Sequence, residues 1–237
     1  SPGHTTLHLV TRAVRRRRLL AVLPLVLAML VTATLADPAP RAAAGAAEPV
    51  IVALGDSLTA GLGVAADEAY PARLEARLRR EGYAYRVVNA GVSGDTSAGG
   101  LRRVDWVLRT RPDFVIVALG ANDGLRGLPV AAMRENLERI VERLKSAGAR
   151  VVLAGMRLPP NYGDTYTREF AAAFPAVARS TGVPLVPFLL DGVAADPTLN
   201  QADGIHPSAA GHQAIADRLW PHLRPLLRRS PAARADR

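Results

Sequence analysis

The sequence of 237 residues contains no cysteine. This absence excludes disulfide bonds, thiolate nucleophiles, cysteine-based metal sites and a lipid anchor on an N-terminal cysteine. Aromatic residues are scarce at 5% of the chain. No basic stripe with interleaved aromatic residues occurs, which argues against a nucleic-acid-binding protein. The G-x-S-x-G motif is also missing, which argues against an α/β-hydrolase. The chain further lacks the P-loop lysine and a G-x-G-x-x-G at a helix start, so nucleotide-binding folds are disfavoured.

The net charge of +9 and the pI of about 11.0 come from the two ends of the chain. Residues 1–47 contain six arginines and one aspartate, and residues 224–237 contain five arginines and one aspartate. The intervening residues 48–223 contain 19 basic and 19 acidic side chains. Because this body is neutral, the overall basicity does not indicate a nucleic-acid or membrane partner.

The N-terminus has the pattern of a secretory signal. Four arginines at 15–18 precede an apolar run at 19–36, and an Ala/Pro-rich stretch follows to residue 47. A basic region, a short apolar region and small residues predict cleavage between about Ala36 and Ala47. The alternative is a retained anchor, since about 18 apolar residues are just enough to span a bilayer. We therefore expect a secreted or periplasmic protein that contacts a membrane only if this segment is uncleaved.

The body of the chain alternates between strands and helices. Short runs rich in apolar and β-branched residues predict strands at 50–54, 85–88, 114–119, 150–153 and 183–186. Apolar residues at helical spacing predict helices at 70–81, 129–147, 166–179 and 208–227. This alternation predicts an α/β domain with a parallel sheet covered on both faces. We expect one domain over 48–227, preceded by the signal and linker at 1–47 and followed by a basic tail at 228–237.

Four polar clusters lie where predicted strands end or where the last helix begins. They occupy residues 55–59, 89–97, 120–124 and 203–207. The carboxyl ends of parallel strands meet at one edge of a sheet, and sites of open α/β sheets lie beyond that edge. The first three clusters are therefore expected to converge there, within reach of the fourth.

These clusters contain every group that serine-dependent acyl transfer requires. Ser57 follows the first strand and can serve as the nucleophile. His206 can take its proton as the base, and Asp203, three residues earlier, can hold the imidazole in the right tautomer. The backbone N–H groups of Ser57 and Gly91 and the side-chain amide of Asn122 can stabilise a developing oxyanion.

Each of these residues also has a simpler interpretation. Gly, Asp, Ser and Asn favour turns, and a histidine before proline can serve only to begin a helix. We expect His212 and His222 to be surface or packing residues, and Asp56 and Asp123 to bond loop backbone. The combination favours catalysis, because three clusters occur at strand ends and the fourth occurs just before the last helix, in the expected order.

With these residues identified, the chain resembles the SGNH/GDSL hydrolase superfamily, and most closely the bacterial thioesterase I, lysophospholipase L1 and arylesterase group. The matching blocks are GDSLTAGLG at 55–63, NAGVSGDTS at 89–97, LGANDGLRG at 119–127 and DGIHP at 203–207. The resemblance covers about residues 50–227. It implies a flavodoxin-like three-layer α/β/α sandwich with five parallel strands.

The resemblance also implies an activity. Ser57, Asp203 and His206 would form the catalytic triad, and Ser57, Gly91 and Asn122 the oxyanion hole. The substrate would be a small acyl ester, thioester or lysolipid, and the enzyme would be a monomer without a cofactor or metal. Two alternatives stay open: a carbohydrate O-deacetylase on the same fold, and a binding protein without catalytic activity.

Overall fold

The computed structural model of the protein describes residues 48–228. The predicted signal and linker at 1–47 and the tail from residue 229 lie outside the described residues. Within 48–228, no helix has the length and apolar character needed to cross a membrane. The described residues include the whole of the domain predicted at 48–227.

Five parallel strands form one sheet in the order β2-β1-β3-β4-β5. Every residue of the two central strands β1 and β3 is buried, which explains why their sequences are continuously apolar rather than alternating. The strands are β1 Val50–Gly55, β2 Arg86–Gly91, β3 Phe114–Ala118, β4 Arg150–Ala154 and β5 Leu185–Val186. The predicted five-stranded parallel α/β/α sandwich is confirmed.

Helices cover both faces of the sheet. Helix α5 packs between α3 and α6, whereas α2 packs against α7. The helices within 48–228 are α1 Ser57–Ala60, α2 Tyr70–Arg80, α3 Ser97–Arg109, α4 Ala121–Leu125, α5 Val130–Ser146, α6 Asp164–Thr181 and α7 Ala209–Leu223, with 3₁₀ turns at Pro160–Tyr162 and Arg224–Leu226. The predicted helices near residues 70, 130, 166 and 208 are all present.

The apolar stripe predicted for α5 is the face that the helix buries. Met133, Leu137, Ile140, Val141 and Leu144 are each at most 1% exposed. Full burial of one such side chain stabilises the folded state by roughly 1.5–3 kcal/mol. The 3.6-residue spacing of these side chains therefore fixes which face of α5 lies against the sheet.

The strand order creates a crevice at the carboxyl end of β1. From β1 the chain first forms β2 on one side and then crosses to form β3 on the other. Gly55, the last residue of β1, pairs with Gly91 in β2 and with Ala118 in β3. The helices that follow these strands lie on opposite faces of the sheet. In open α/β sheets, ligands bind in the crevice that forms where the strand order reverses in this way.

Helix α3 was not predicted from the sequence. Its first turn contains Gly99 and Gly100, and glycine is about 1 kcal/mol less favourable than alanine in a helix. Tertiary packing requires these glycines, since a Cβ atom on Gly100 would lie 2.1 Å from the Leu119 side chain. The helix is held by burial of Val104 and Val107 and by an N-cap at residue 96.

Several predicted boundaries differ from the structure; strand β5, for example, was predicted at 183–186 but spans Leu185–Val186. Strand β2 was predicted at 85–88 but continues to Gly91, because it pairs with β1 along its full length. The last helix was predicted to end at Leu227 but ends at Leu223, and a 3₁₀ turn containing Pro225 follows. Proline has no N–H to donate to the preceding turn, which explains the change of helix type.

Candidate active site

Ser57 is the first residue of the short helix α1, directly after β1. The side chain of the preceding Asp56 caps this helix by accepting a hydrogen bond from the Leu58 N–H at 3.0 Å. Gly55 permits the tight turn, since a Cβ atom there would lie 1.9 Å from Thr59 Oγ1. The strand-to-helix turn thus leaves Ser57 partly exposed at the carboxyl edge of the sheet.

Gly91 holds α1 against the end of β2. A Cβ atom on Gly91 would lie 2.1 Å from the backbone nitrogen of Ala60, so only glycine allows this approach. The close neighbour of Gly91 is thus the backbone of α1. This packing places the Gly91 N–H beside the helix that carries Ser57.

The structure brings Ser57, His206 and Asp203 together in one hydrogen-bonded chain. His206 Nε2 lies 3.0 Å from Ser57 Oγ, although the two residues are 149 positions apart. On the other side of the ring, His206 Nδ1 lies 2.6 Å from Asp203 Oδ2. Both distances are in the hydrogen-bond range, which is what a nucleophile, its base and an orienting carboxylate would require.

The loop before α7 gives Asp203 its orientation and its charge. Asp203 Oδ1 accepts hydrogen bonds from the backbone N–H groups of His206 and Ile205, both at 2.9 Å. These donors and the imidazole stabilise the carboxylate and lower the pKa of Asp203 to about 2. Asp203 is therefore ionised at every pH at which a histidine base can act.

The three candidate oxyanion donors differ in their present partners. Gly91 N–H donates to Asn89 Oδ1 at 2.9 Å. The Asn122 amide nitrogen donates to the Asp95 carbonyl at 2.9 Å and to Asp56 Oδ2 at 3.2 Å. No acceptor within residues 48–228 takes the Ser57 N–H. These acceptors fix the directions of the Gly91 N–H and of the Asn122 amide.

Asp56 and Asp123 each accept a hydrogen bond from a backbone N–H, as predicted, and each also binds a side chain. Besides the Leu58 N–H, Asp56 contacts Asn122, and burial raises the pKa of Asp56 to about 6. Asp123 accepts hydrogen bonds from the backbone N–H and the hydroxyl of Ser97, at 2.7 Å and 2.6 Å. These bonds join α4, which carries Asn122, to the start of α3.

Two residues near the site were missed by sequence reasoning. Arg103 of α3 forms an ion pair with Asp95 at 2.6 Å and also donates to backbone carbonyls at the ends of β1 and β2. An arginine among several on an unpredicted helix gives no pattern that would single it out. Asp95 lies in the block at 89–97, but its partner could not be identified without the fold.

Among residues 48–228, no group of three or more histidine, aspartate or glutamate side chains is arranged to hold a metal ion. The histidines of α7 do not contribute to the triad. His212 is 1% exposed, and its Nδ1 accepts a hydrogen bond from the Tyr70 N–H at 3.2 Å. The prediction that His212 is a packing residue agrees with this position.

His212 is expected to make folding stability pH-dependent. Burial lowers the pKa of His212 to about 4, whereas a histidine in an unfolded chain takes up its proton near pH 6.5. Protonation therefore favours unfolding. Its cost should be absent above about pH 6.5 and should grow by up to about 1.4 kcal/mol per pH unit as the pH falls toward 4.

Chemical denaturation between pH 4 and 8 measures this effect. The raised pKa of Asp56 gives the opposite slope in part of this range, so the difference between the wild type and His212→Gln isolates the histidine. His222→Gln, on the last turn of the same helix, is the matched control. A difference that does not change with pH would contradict a neutral, buried His212.

Comparison with known proteins identifies relatives over the same part of the chain. Residues 53–214 match the model of the GDSL-like Lipase/Acylhydrolase family. The chain is 45% identical to Esterase TesA of Pseudomonas aeruginosa over 183 residues, which cover 77% of this chain and 91% of that protein. It is 40% identical to Thioesterase 1/protease 1/lysophospholipase L1 of Escherichia coli K12, with 77% and 86% coverage.

A solved structure shows the same fold. It is that of the psychrotrophic esterase EstA from Pseudoalteromonas sp. inhibited by monoethylphosphonate, with a TM-score of 0.72 and 34% identity. The match covers 75% of this chain and 97% of that chain. The family match at residues 53–214 therefore includes Ser57, Asp203 and His206.

Proposed function

The chain belongs to the GDSL-like lipase/acylhydrolase family and is a carboxylic ester hydrolase, and from this premise we propose that it acts through an acyl-enzyme on Ser57. The observation that carries the proposal is the hydrogen-bonded chain from Ser57 through His206 to Asp203, with distances of 3.0 Å and 2.6 Å. His206 is the base, and Asp203 orients it and stabilises the imidazolium.

The reaction has two halves. Ser57 Oγ attacks the carbonyl carbon while its proton passes to His206 Nε2, and the tetrahedral intermediate then expels the alcohol or thiol, which takes that proton. In the second half, water attacks the acyl-enzyme, again with His206 as base, and the acid is released as Ser57 regains its proton. Splitting the hydrolysis into these two steps lowers the barrier of each.

The oxyanion of each intermediate is bound by Ser57 N–H, Gly91 N–H and the Asn122 amide. The contact from Asn122 to Asp56, at 3.2 Å, is longer than its contact to the Asp95 carbonyl, at 2.9 Å. The substrate oxygen therefore replaces Asp56 as an acceptor of the Asn122 amide and Asn89 Oδ1 as the acceptor of the Gly91 N–H, while Asp95 continues to hold the Asn122 amide in place. Donors fixed in advance are the most effective stabilisers of developing charge.

The surface around the site favours an apolar acyl group. Six large hydrophobic side chains within residues 48–228 are exposed, and five of them lie in the segments that follow β1, β2 and β3 or precede α7: Leu62, Val92, Leu125, Leu128 and Ile205. These segments also carry the site, and exposed apolar side chains around a site can bind an apolar ligand. The relatives are named for esterase, thioesterase and lysophospholipase activity. We accordingly propose acyl esters, thioesters or lysolipids as substrates.

A substrate panel tests this proposal. Purified enzyme is assayed with p-nitrophenyl esters of increasing chain length, acyl-CoAs, lysophospholipids and acetylated sugars. The proposal predicts that kcat/KM rises from acetyl to longer acyl groups on the aryl esters, because a longer chain buries more apolar surface. Higher kcat/KM on acetylated sugars than on every acyl ester would instead support a carbohydrate O-deacetylase.

Replacing Asn122 with alanine should separate transition-state binding from substrate binding. We expect kcat to fall by about 10²–10³-fold, with a smaller change in KM, because an oxyanion donor acts mainly in the transition state. The matched control is Asn136→Ala on α5. The Asn136 amide donates a hydrogen bond of 3.1 Å to Ser97 Oγ rather than to a residue of the triad. If KM rose while kcat was unchanged, Asn122 would be a substrate-binding residue instead.

We also propose that the enzyme is exported. The support is the sequence pattern at residues 15–47, which lies outside the described residues. Expression of a chain with its own N-terminus should yield a protein, in the extracellular or periplasmic fraction, whose intact mass begins between residues 37 and 48. A mass that retains residues 19–36 would support a membrane anchor.

A further inference from the structure

Arg103 connects the ends of β1 and β2 behind the candidate oxyanion hole. Its Nη1 donates to the Ala90 carbonyl at 2.9 Å and its Nη2 to the Gly55 carbonyl at 3.2 Å. Its Nε and Nη2 donate to Asp95 Oδ2 at 2.9 Å and 2.6 Å. One guanidinium thus contacts the strand residues that directly precede Gly91 and Asp56.

The bond to Ala90 acts on an oxyanion donor through a single peptide group. The Ala90 carbonyl and the Gly91 N–H belong to the same planar unit, so fixing the oxygen fixes the direction of the N–H. A cation on the carbonyl also draws electron density from the amide and strengthens its N–H as a donor. Arg103 therefore holds the peptide group whose N–H donates to Asn89 Oδ1 at 2.9 Å until an oxyanion replaces that acceptor.

The bond to Asp95 reaches the side-chain donor. The backbone carbonyl of Asp95 accepts the shorter of the two hydrogen bonds from the Asn122 amide, at 2.9 Å. Arg103 holds the carboxylate of this same residue, and the side chains of Arg103 and Asp95 are only 23% and 11% exposed. A partly desolvated ion pair of this kind restricts the loop that positions Asn122.

The sequence of α3 is adapted to this ion pair. A Cβ atom on Gly99 would lie 1.6 Å from Asp95 Oδ1, so glycine is needed to seat the carboxylate against the first turn of the helix. Arg103, one turn further, then reaches back over that turn to the carboxylate. The glycine that lowers the helix propensity of this segment thus makes room for the Asp95 carboxylate.

From these contacts we propose that Arg103 is a positioning residue for the oxyanion hole, acting on Gly91 through the Ala90 carbonyl and on Asn122 through Asp95. It does not touch the reacting atoms. The proposal rests on the proposed acyl-enzyme mechanism and assigns a residue that neither the triad nor the three oxyanion donors include.

The test compares Arg103→Met with Arg102→Met on the same helix. Arg102 is exposed and is the matched control, since its loss removes an arginine without touching the site. Rates are divided by the concentration of active sites titrated with a fluorophosphonate. We expect Arg103→Met to lower this normalised kcat by about 10–100-fold with KM changed less than about threefold, because displaced donors affect the transition state.

A second readout separates positioning from general loss of structure. A trifluoromethyl ketone forms a hemiketal with the serine, and its oxyanion occupies the same donors. Its Ki should rise in parallel with the fall in kcat. Arg103→Lys should restore part of both values, because an ammonium keeps the charge but cannot form the same fork of hydrogen bonds. Arg103→Lys also carries the test if Arg103→Met does not fold.

The outcomes distinguish this proposal from the mechanism on which it rests. A normalised kcat of Arg103→Met within about twofold of Arg102→Met, or an unchanged trifluoromethyl ketone Ki, would overturn the role of Arg103. If Ser57→Ala and Asn122→Ala still lost activity, the acyl-enzyme mechanism would stand. An active Ser57→Ala enzyme would overturn both.

Discussion

Replacing Ser57 with alanine is expected to lower kcat by a factor on the order of 10⁶, the loss seen when the nucleophile of a serine triad is removed. Alanine cannot form the acyl-enzyme, and the remaining donors can only assist direct attack by water. The measurement is turnover of a p-nitrophenyl ester by the purified variant, followed long enough to exclude trace contamination by wild-type enzyme.

The same variant should remain folded. Ser57 is partly exposed and its hydroxyl makes one side-chain hydrogen bond, to His206, so its loss should cost about 1 kcal/mol or less. Ser93→Ala, an exposed serine on the loop after β2, is the matched control and should keep wild-type turnover. A Ser57→Ala protein with normal melting temperature and near-normal turnover would rule out Ser57 as nucleophile.

Replacing His206 with alanine should be nearly as damaging as losing Ser57, because residues of a triad act as a unit. Asp203→Asn should lose less activity than either, since the imidazole and the oxyanion donors remain. If the Asp203–His206 pair only shaped the entry to α7, Asp203→Asn would change the melting temperature and leave kcat unchanged. Measuring both quantities for the two variants separates these accounts.

The pH dependence gives a second test of the base. Followed from pH 5 to 8, the rate should rise with pH, because only a neutral imidazole can accept the Ser57 proton. The low pKa of Asp203, about 2, keeps that carboxylate charged throughout, so it adds no step there. A flat profile between pH 5 and 8 would show that His206 is not the base.

Asp56 could produce a step in the same range. Burial raises its pKa to about 6, and it contacts Asn122. The profile of Asp56→Asn resolves the ambiguity, because asparagine does not titrate. A rise that persists in this variant belongs to His206, whereas a profile that becomes flat assigns the step to Asp56.

The fold and the proximity of Ser57, His206 and Asp203 could be predicted because their signals are local. Continuous apolar runs defined the strands, and the positions of Ser57 and Asn122 after strands predicted the shared edge. Asp203 and His206 are three residues apart, so their contact is set by one loop. The resemblance of four short blocks to one superfamily connected the separate pieces.

Features that depend on distant contacts could not be predicted in this way. Helix α3 is stabilised by packing that overrides the low helix propensity of its two glycines. Arg103 binds carbonyls 13 and 48 residues away, and backbone carbonyls leave no trace in a sequence. The acceptors of the Asn122 amide likewise lie in two other segments of the chain, so the orientation of this amide could not be predicted without the fold.

The acyl-enzyme itself provides the most direct test of the central claim. The wild-type enzyme is mixed with p-nitrophenyl butyrate, quenched in acid within milliseconds, digested and mapped by mass spectrometry. The mechanism predicts a single butyryl group on the peptide that contains Ser57, and no such group when Ser57→Ala is treated identically. Butyrylation at another residue, or rapid turnover without any acylated peptide, would contradict it.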